Sequence, residues 1–195
     1  PGVRWHWGAP VAGVQADEGA GVLHLADGRA LKFDAVIDVR GVGARGSAPL
    51  PEAAMPVRGV RGEVIGLHCP DHGLTRQLRL LHPRHRVYVV PRSADLLMVG
   101  ASEIESADRS PVSLRSAVEL MAAAHSVLPA LAEARIVRLD VNLRPALPDN
   151  NPRIEHAGRR LAINGLFRHG WLLAPALVEQ ALAQAGWAAP AEVMA

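Results

Sequence analysis

Only two stretches of this chain carry apolar side chains at helical spacing. Everything between them is short apolar runs cut by glycine, proline and Asp-Gly. The first stretch has Leu114, Val118, Met121, His125 and Leu128 on one face, behind a Ser110-Pro111 start and ahead of Pro129. Serine at the cap and proline at the first helical position are standard start chemistry, so the spacing predicts a helix over Ser110–Leu128. The second puts Ala174, Leu177, Val178, Ala181, Leu182 and Ala185 on one face, with Gly186 as the stop. The strand-like runs are Val3–Gln15 (kinked at Gly8 and Pro10), Phe33–Val39, Gly62–Cys69, Arg86–Val90, Leu96–Gly100, Ile136–Leu143 and Leu161–Asn164. Gly21–Leu25 and Ala30–Phe33 flank Asp27-Gly28, whose positive φ angles suit a tight hairpin turn. Many short strands with two helices predict a mixed α+β fold.

A chain of 195 residues is long enough for one domain or two small ones. No uncharged apolar run approaches the roughly 18 residues of a membrane span, and no leader pattern opens the sequence. The single cysteine, Cys69, cannot form an internal disulfide, which fits a reducing, cytoplasmic setting. Net charge is +2, Lys32 is the only lysine, and the arginines are scattered without a basic stripe, so nucleic acid is not an expected partner. The chain opens at Pro1 and runs into a strand-like stretch, as a piece of a longer protein would. Gly46–Pro56, rich in Pro, Gly and Ala, is a candidate linker.

Two arginines carry the chemistry. Arg144 lies in Asn142-Leu143-Arg144-Pro145 and offers a planar guanidinium able to grip a carboxylate through two parallel hydrogen bonds. Arg168 lies in Gly165-Leu166-Phe167-Arg168-His169-Gly170-Trp171-Leu172, which reads as a strand end, a glycine-bounded loop and the first turn of a helix. That geometry aims backbone N–H groups and a guanidinium at one spot, where an anion or the electron-rich edge of a flavin would bind. Gly41-Val42-Gly43-Ala44 follows a strand, and its glycines let backbone approach a ligand closely.

Five segments in order resemble the D-amino-acid-oxidase-like flavoenzymes, and among them the glycine oxidase branch of thiamine biosynthesis. They are Pro56–Ile65, Tyr88–Arg92, Val99–Ile104, Asn142–Pro145 and Gly165–Pro175. The resemblance runs from about Val3 to about Gly186. It implies residues 1–50 and 147–195 as pieces of a Rossmann-like flavin domain. It implies residues 51–146 as a substrate domain, a sheet with the first helix against it. The family's N-terminal Gly-x-Gly-x-x-Gly element, which seats a pyrophosphate on a helix N-terminus, has no expected counterpart. Gly41-Val42-Gly43 lacks a clear helix after it and corresponds to a second flavin-contacting loop.

The activity so implied is oxidation of glycine or another small amino acid or amine by hydride transfer to non-covalently held FAD. A sarcosine-type amine oxidase or dehydrogenase and a non-catalytic binding or assembly remnant are the alternatives. Arg144 corresponds to the family's carboxylate-binding arginine, and Arg168 to an arginine bordering substrate and flavin. Tyr88, the only tyrosine, corresponds to a second donor to the carboxylate, or is a half-buried strand aromatic. Glu103 faces the substrate side-chain region or solvent. His169 sits near the flavin pyrimidine or is a plain loop residue. Gly41, Gly43, Gly165, Gly170, Trp171 and Leu172 complete the cofactor-side set.

The chain tested alone is expected to be inactive and to hold FAD weakly. Uncovered apolar faces, including Leu177, Val178, Ala181 and Leu182, would drive homo-oligomerisation or association with the missing N-terminal half. No metal is expected: His68, Cys69 and His72 cluster, but Pro70 breaks any helix that would align them. His82 and His85 beside Pro83 read as a loop, and His125 as a hydrogen-bonded core residue.

Overall fold

A computed structural model describes residues 2–45, 55–81 and 86–187. Most of the Gly46–Pro56 linker and the His82–His85 loop lie outside them. Residues group into two units. One is discontinuous, formed from residues 1–58 and 144–195; the other is Gly59–Leu143. The fold is mixed α+β.

In the discontinuous unit, β1 (Val11–Ala16), β2 (Gly21–Leu25) and β3 (Ala30–Phe33) form an antiparallel sheet in that order. The β2–β3 hairpin turns where Asp27-Gly28 predicts, but only Gly28 takes a positive φ, +88°, while Asp27 accepts from the Arg29 N–H at 3.1 Å. The expected Val3–Gln15 strand is shorter, because residues 2–10 form no ladder and Val11 opens β1. Upstream, Trp5 and Trp7 stack on each other with ring centroids 5.5 Å apart. A second sheet has the order β10 (Arg153–Ala157), β11 (Arg160–Asn164), β4 (Val36–Asp38), with β11 antiparallel to β10 and parallel to β4.

Helix α2 (Gly170–Gln184) packs on that sheet. Leu161, Ile163 and Ala181 form a buried cluster with Leu177, Leu182 and Ala185 around it. Of the side chains expected to lie uncovered, Ala181 is therefore buried by the chain's own sheet and Leu177 and Leu182 are half-buried against it. The helix face that is exposed carries Trp171, Leu172 and Val178. Gly186, at φ +68°, ends the helix: its N–H donates to Ala183 O, and the Trp187 N–H to Leu182 O.

The Gly59–Leu143 unit is built on a five-stranded sheet of order β6 (Leu78–Arg79), β7 (Tyr88–Pro91), β8 (Leu96–Gly100), β5 (Arg58–His68), β9 (Arg135–Ala146). Strands β6 to β8 and β5 pair antiparallel. Ile65, Leu67, Val87, Val89, Leu97 and Val99 bury one face of the sheet against α1 (Leu114–Val127).

Helix α1 departs from expectation at its start and in its face. It begins at Leu114, with Ser113 as the N-cap accepting from the Ser116 N–H. Ser110 is drawn off instead by Asp108, which takes both its hydroxyl and its N–H. The buried residues are Ser116, Leu120, Ala123 and Ala124, while Leu114 and Val118 are exposed. His125 is exposed as well, a correction to its reading as a core residue.

Candidate functional site

Within the discontinuous unit, three of the expected segments come together. The first is the Gly41–Ala44 turn after β4, a short 3-10 turn closed by the Gly43 N–H donating to Arg40 O at 3.0 Å. Buried Asp38 anchors its base. Arg40 reaches the carboxylate through Nε and Nη2, both at 2.9 Å, and Arg160 of β11 reaches it at 3.2 Å. Burial pushes the Asp38 carboxyl up, but these guanidinium bonds outweigh it and hold the group below its ordinary value.

The second segment is Arg144-Pro145 at the end of β9. The Pro145 ring lies against Gly41, where an added Cβ would sit 3.3 Å from Pro145 Cγ. The third is the Gly165–Gly170 loop between β11 and α2. The Phe167 N–H donates to Pro145 O at 2.9 Å. Phe167 has φ +50°, a left-handed conformation that costs an aromatic residue on the order of 1 kcal/mol and collects at functional loops. Its ring carries the Arg168 guanidinium at 5.6 Å, and Arg168 Nε donates to His169 Nε2 over a long 3.4 Å.

Asn164, the last residue of β11, joins the first and third segments. Its Nδ2 donates to Gly41 O at 3.0 Å, and its Oδ1 accepts from the Gly165 N–H at 2.8 Å. Gly165 has φ +80°, and a Cβ there would lie 2.6 Å from Leu147 Cγ, so both the conformation and the space demand glycine.

This arrangement fits an electron-rich, planar, partly anionic group such as a flavin. Helix α2 starts at Gly170 with no side chain capping it, so the positive end of its dipole lies beside Arg168 and His169. Trp171 and Leu172 occupy the exposed first turn. Gly41 and Gly43 supply backbone without side chains across the adjoining turn.

The remaining candidates belong to the other unit. Tyr88 on β7 faces Gly100 on β8 in direct register. A Cβ on Gly100 would lie 2.7 Å from Tyr88 Oη, so the absence of a side chain there lets the phenol lie across the strand. Glu103 is exposed, on the segment that links β8 to α1.

That segment is held by a buried ion pair that sequence reading did not single out. Glu63 on β5 is 0% exposed. Its Oε1 accepts from Arg61 Nε at 3.0 Å, Arg61 Nη2 at 2.6 Å and the Ser113 N–H at 3.1 Å, and its Oε2 from Ser102 Oγ at 3.0 Å. Arg61 also donates to Asp108 O and Pro111 O. Burial pushes the Glu63 carboxyl up; hydrogen bonds from Ser116, Arg61, Ser113 and Ser102 win and hold it low. The Glu63 carboxylate thus sits at the α1 N-terminus, where the helix dipole favours negative charge.

Asn164, Arg61 and Glu63 were missed for different reasons. Asn164 did leave a signal, a polar residue closing the apolar run Leu161-Ala-Ile and preceding a glycine. Arg61 and Glu63 sat inside a motif noticed for its pattern, with no local sign that the two side chains pair. Gly41, Gly43 and Gly46 also stand at Gly-x-Gly-x-x-Gly spacing, a match the sequence reading did not count. Strand β4 leads there into a 3-10 turn, and Gly46 lies outside the described residues. Of the other histidines, His72 accepts from the Leu74 N–H and meets Ser93 O at 3.0 Å, and His68 lies 3.6 Å from Asp95. Among the described residues, no helix is long and apolar enough to cross a membrane.

The fold is that of a flavoprotein oxidoreductase. The profile of the family described as FAD dependent oxidoreductase matches residues 1–184, and the chain belongs to that family. It is 46% identical over 144 residues to a putative thiamine biosynthesis oxidoreductase ThiO of Rhizobium etli, a match covering 74% of this chain and 42% of that protein. It is 32% identical over 175 residues to a glycine oxidase of Bacillus licheniformis, covering 87% and 46% respectively. The crystal structure of glycine oxidase from Geobacillus kaustophilus superposes with a TM-score of 0.74 at 24% identity, over 94% of this chain and 52% of that one, a likeness of fold. The chain spans about half the length of the relatives it matches.

Proposed function

We propose that this chain is part of an FAD-dependent oxidoreductase that oxidises glycine or another small amino acid or amine, with a place in thiamine biosynthesis. The observation that carries the reading is the joined set of Gly41 turn, Arg144-Pro145 and Gly165–Gly170 loop, in a chain of this family. The similarity to ThiO and to glycine oxidase points to glycine among the small amines.

When bound, FAD supplies the hydride acceptor. The chain's own residues supply position and charge. Arg144 grips the substrate carboxylate with two charge-assisted bonds, which lysine, a point charge, cannot reproduce. Tyr88 donates to the carboxylate, and Glu103 faces the amine and side-chain end. Arg168, His169 and the uncapped start of α2 place positive charge beside the flavin pyrimidine and stabilise the anion that reduction creates. Gly41, Gly43, Gly165 and Gly170 bring backbone close, with Trp171 and Leu172 as apolar cover. In this reading the discontinuous unit is the flavin-side portion, Rossmann-like around β4 and β11, and Gly59–Leu143 the substrate side. The exposed Trp171, Leu172 and Val178 face is where a further copy or a companion flavin-domain segment would associate. The 195 residues by themselves are proposed to retain FAD weakly and to lack oxidase activity.

The test is flavin content and oxygen consumption of the intact protein with glycine, sarcosine and D-alanine. The expected result is a yellow protein with glycine among its best substrates. A sarcosine preference favours the amine oxidase alternative. A folded protein that takes up no flavin, or whose flavin no amine reduces, overturns the proposal.

A further inference from the structure

We infer that Asn164 is a positioning residue that locks the Gly41 turn and the Gly165 loop into one platform, so that neither addresses the cofactor independently. The inference rests on the flavin reading above and goes beyond it in naming the group that sets the geometry.

Asn164 is buried, at the end of the apolar strand β11 where Leu161, Ala162 and Ile163 are buried as well. An amide in that position costs free energy unless its polar atoms are satisfied. Both ends are used, and each serves a different turn: Nδ2 serves the Gly41 carbonyl, and Oδ1 serves the Gly165 N–H. The residues it holds have no side chains with which to hold themselves. Gly41 at φ +56° and Gly165 at φ +80° are both left-handed, and a Cβ on either would run into Pro145 or Leu147. A turn that must be glycine is also the most conformationally free, and fixing it needs an outside group. Asn164 is that group for both turns at once. A second tie between them runs through Pro145, whose ring meets Gly41 and whose carbonyl takes the Phe167 N–H.

Donor and acceptor can be separated by substitution. Asn164→Asp keeps the acceptor for Gly165 and replaces the donor with an oxygen that repels the Gly41 carbonyl. Asn164→Ala removes both. Leu25→Ala, in β2 of the other sheet of the same unit, controls for loss of stability alone. In the intact protein, hydrogen exchange of residues 41–44 and 165–170 and the FAD dissociation constant are measured together. In Asn164→Asp, exchange is expected to rise in both turns, although the Gly165 bond is nominally retained. The FAD dissociation constant should rise about tenfold, the scale of one buried hydrogen bond, and the visible spectrum of bound flavin should shift.

Exchange that rises only at the Gly41 turn overturns the inference. So does a Leu25→Ala protein of equal stability that loses FAD to the same degree. If the Asn164 variants fail to fold, the wild type decides: FAD must protect both turns in parallel, and protection of one alone refutes the coupling. A wild type that takes up no FAD counts against the proposed function, and joint exchange of the two turns then still tests their linkage.

Discussion

Substituting Glu63 alone should strongly destabilise the strand-rich unit, whereas substituting it together with Arg61 should not. In Glu63→Leu, Arg61 loses the partner of two guanidinium bonds at 3.0 and 2.6 Å, while its bonds to the Asp108 and Pro111 carbonyls and to the exposed Asp108 carboxylate remain. The Ser113 N–H at the start of α1 and the Ser102 hydroxyl lose their acceptor as well. Stranding one member of a buried pair costs about 3–5 kcal/mol. A unit of this size holds about 5–15 kcal/mol in all, and each kcal/mol is worth about 4–8 °C in its melting temperature. Glu63→Leu should therefore melt more than ten degrees below wild type. The double variant Arg61→Met/Glu63→Leu removes both charges and should recover most of the loss, giving a coupling of about 2 kcal/mol or more in the double-mutant cycle. Fluorescence is the wrong probe, because Trp5, Trp7, Trp171 and Trp187 all belong to the other unit. Exchange protection of peptides from β5, β8 and α1 reads the right one. A Glu63→Leu protein within about 1 kcal/mol of wild type, or a double variant no better than the single, would refute the reasoning.

Three further outcomes follow from the same geometry. Glu63 and Asp38 have carboxyls held below their ordinary values of 4.5 and 3.8, so their stabilisation is full above those values and is lost as pH falls through the lower folded ones. Denaturation midpoints at pH 7 and pH 3 should differ less in Asp38→Asn than in wild type, and an unchanged difference would remove Asp38 from the account. Gly100→Ala should push the Tyr88 ring off β8, at about 1–3 kcal/mol of overpacking, with a raised KM for the amine; wild-type stability and KM together would show that the strand has room. Arg144→Lys should raise KM roughly 10- to 150-fold, the worth of about 1.5–3 kcal/mol of charge-assisted bonding, with FAD content unchanged; loss of flavin at normal KM would move Arg144 to the cofactor.

What the sequence disclosed depended on how far each signal reached along the chain. The Asp27-Gly28 hairpin was legible because the turn is settled by its own residues. Helix α1 was legible as a helix and misread in detail. Ser110-Pro111 satisfies the start rule, but Asp108 two residues upstream takes Ser110, and the cap falls to Ser113. Its face was misplaced because apolar residues stand on more than one side, and only packing on β8 selects Leu120 and Ala124 over Leu114 and Val118. The glycines at 41 and 165 announced backbone demands. The bonds that give them meaning did not: Asn164 reaches back 123 residues to Gly41, and Ser102 reaches 39 to Glu63. No window on the sequence joins such partners.

The discontinuity of the Gly41–Asn164 unit also sets a schedule. Strand β4 and its turn leave the ribosome before Gly59–Leu143, while β11, the neighbour that β4 pairs with, follows only after the whole of it. At about 5–20 residues per second, the 123 residues between Gly41 and Asn164 amount to roughly 6–25 s of translation. Through that interval β4 has an open edge, with Ile37 and Val39 exposed even in the finished fold. The inserted unit is meanwhile complete in sequence and its two ends already meet, Gly59 against Leu143. A nascent chain thus owns its strand-rich insert before its paired turns exist.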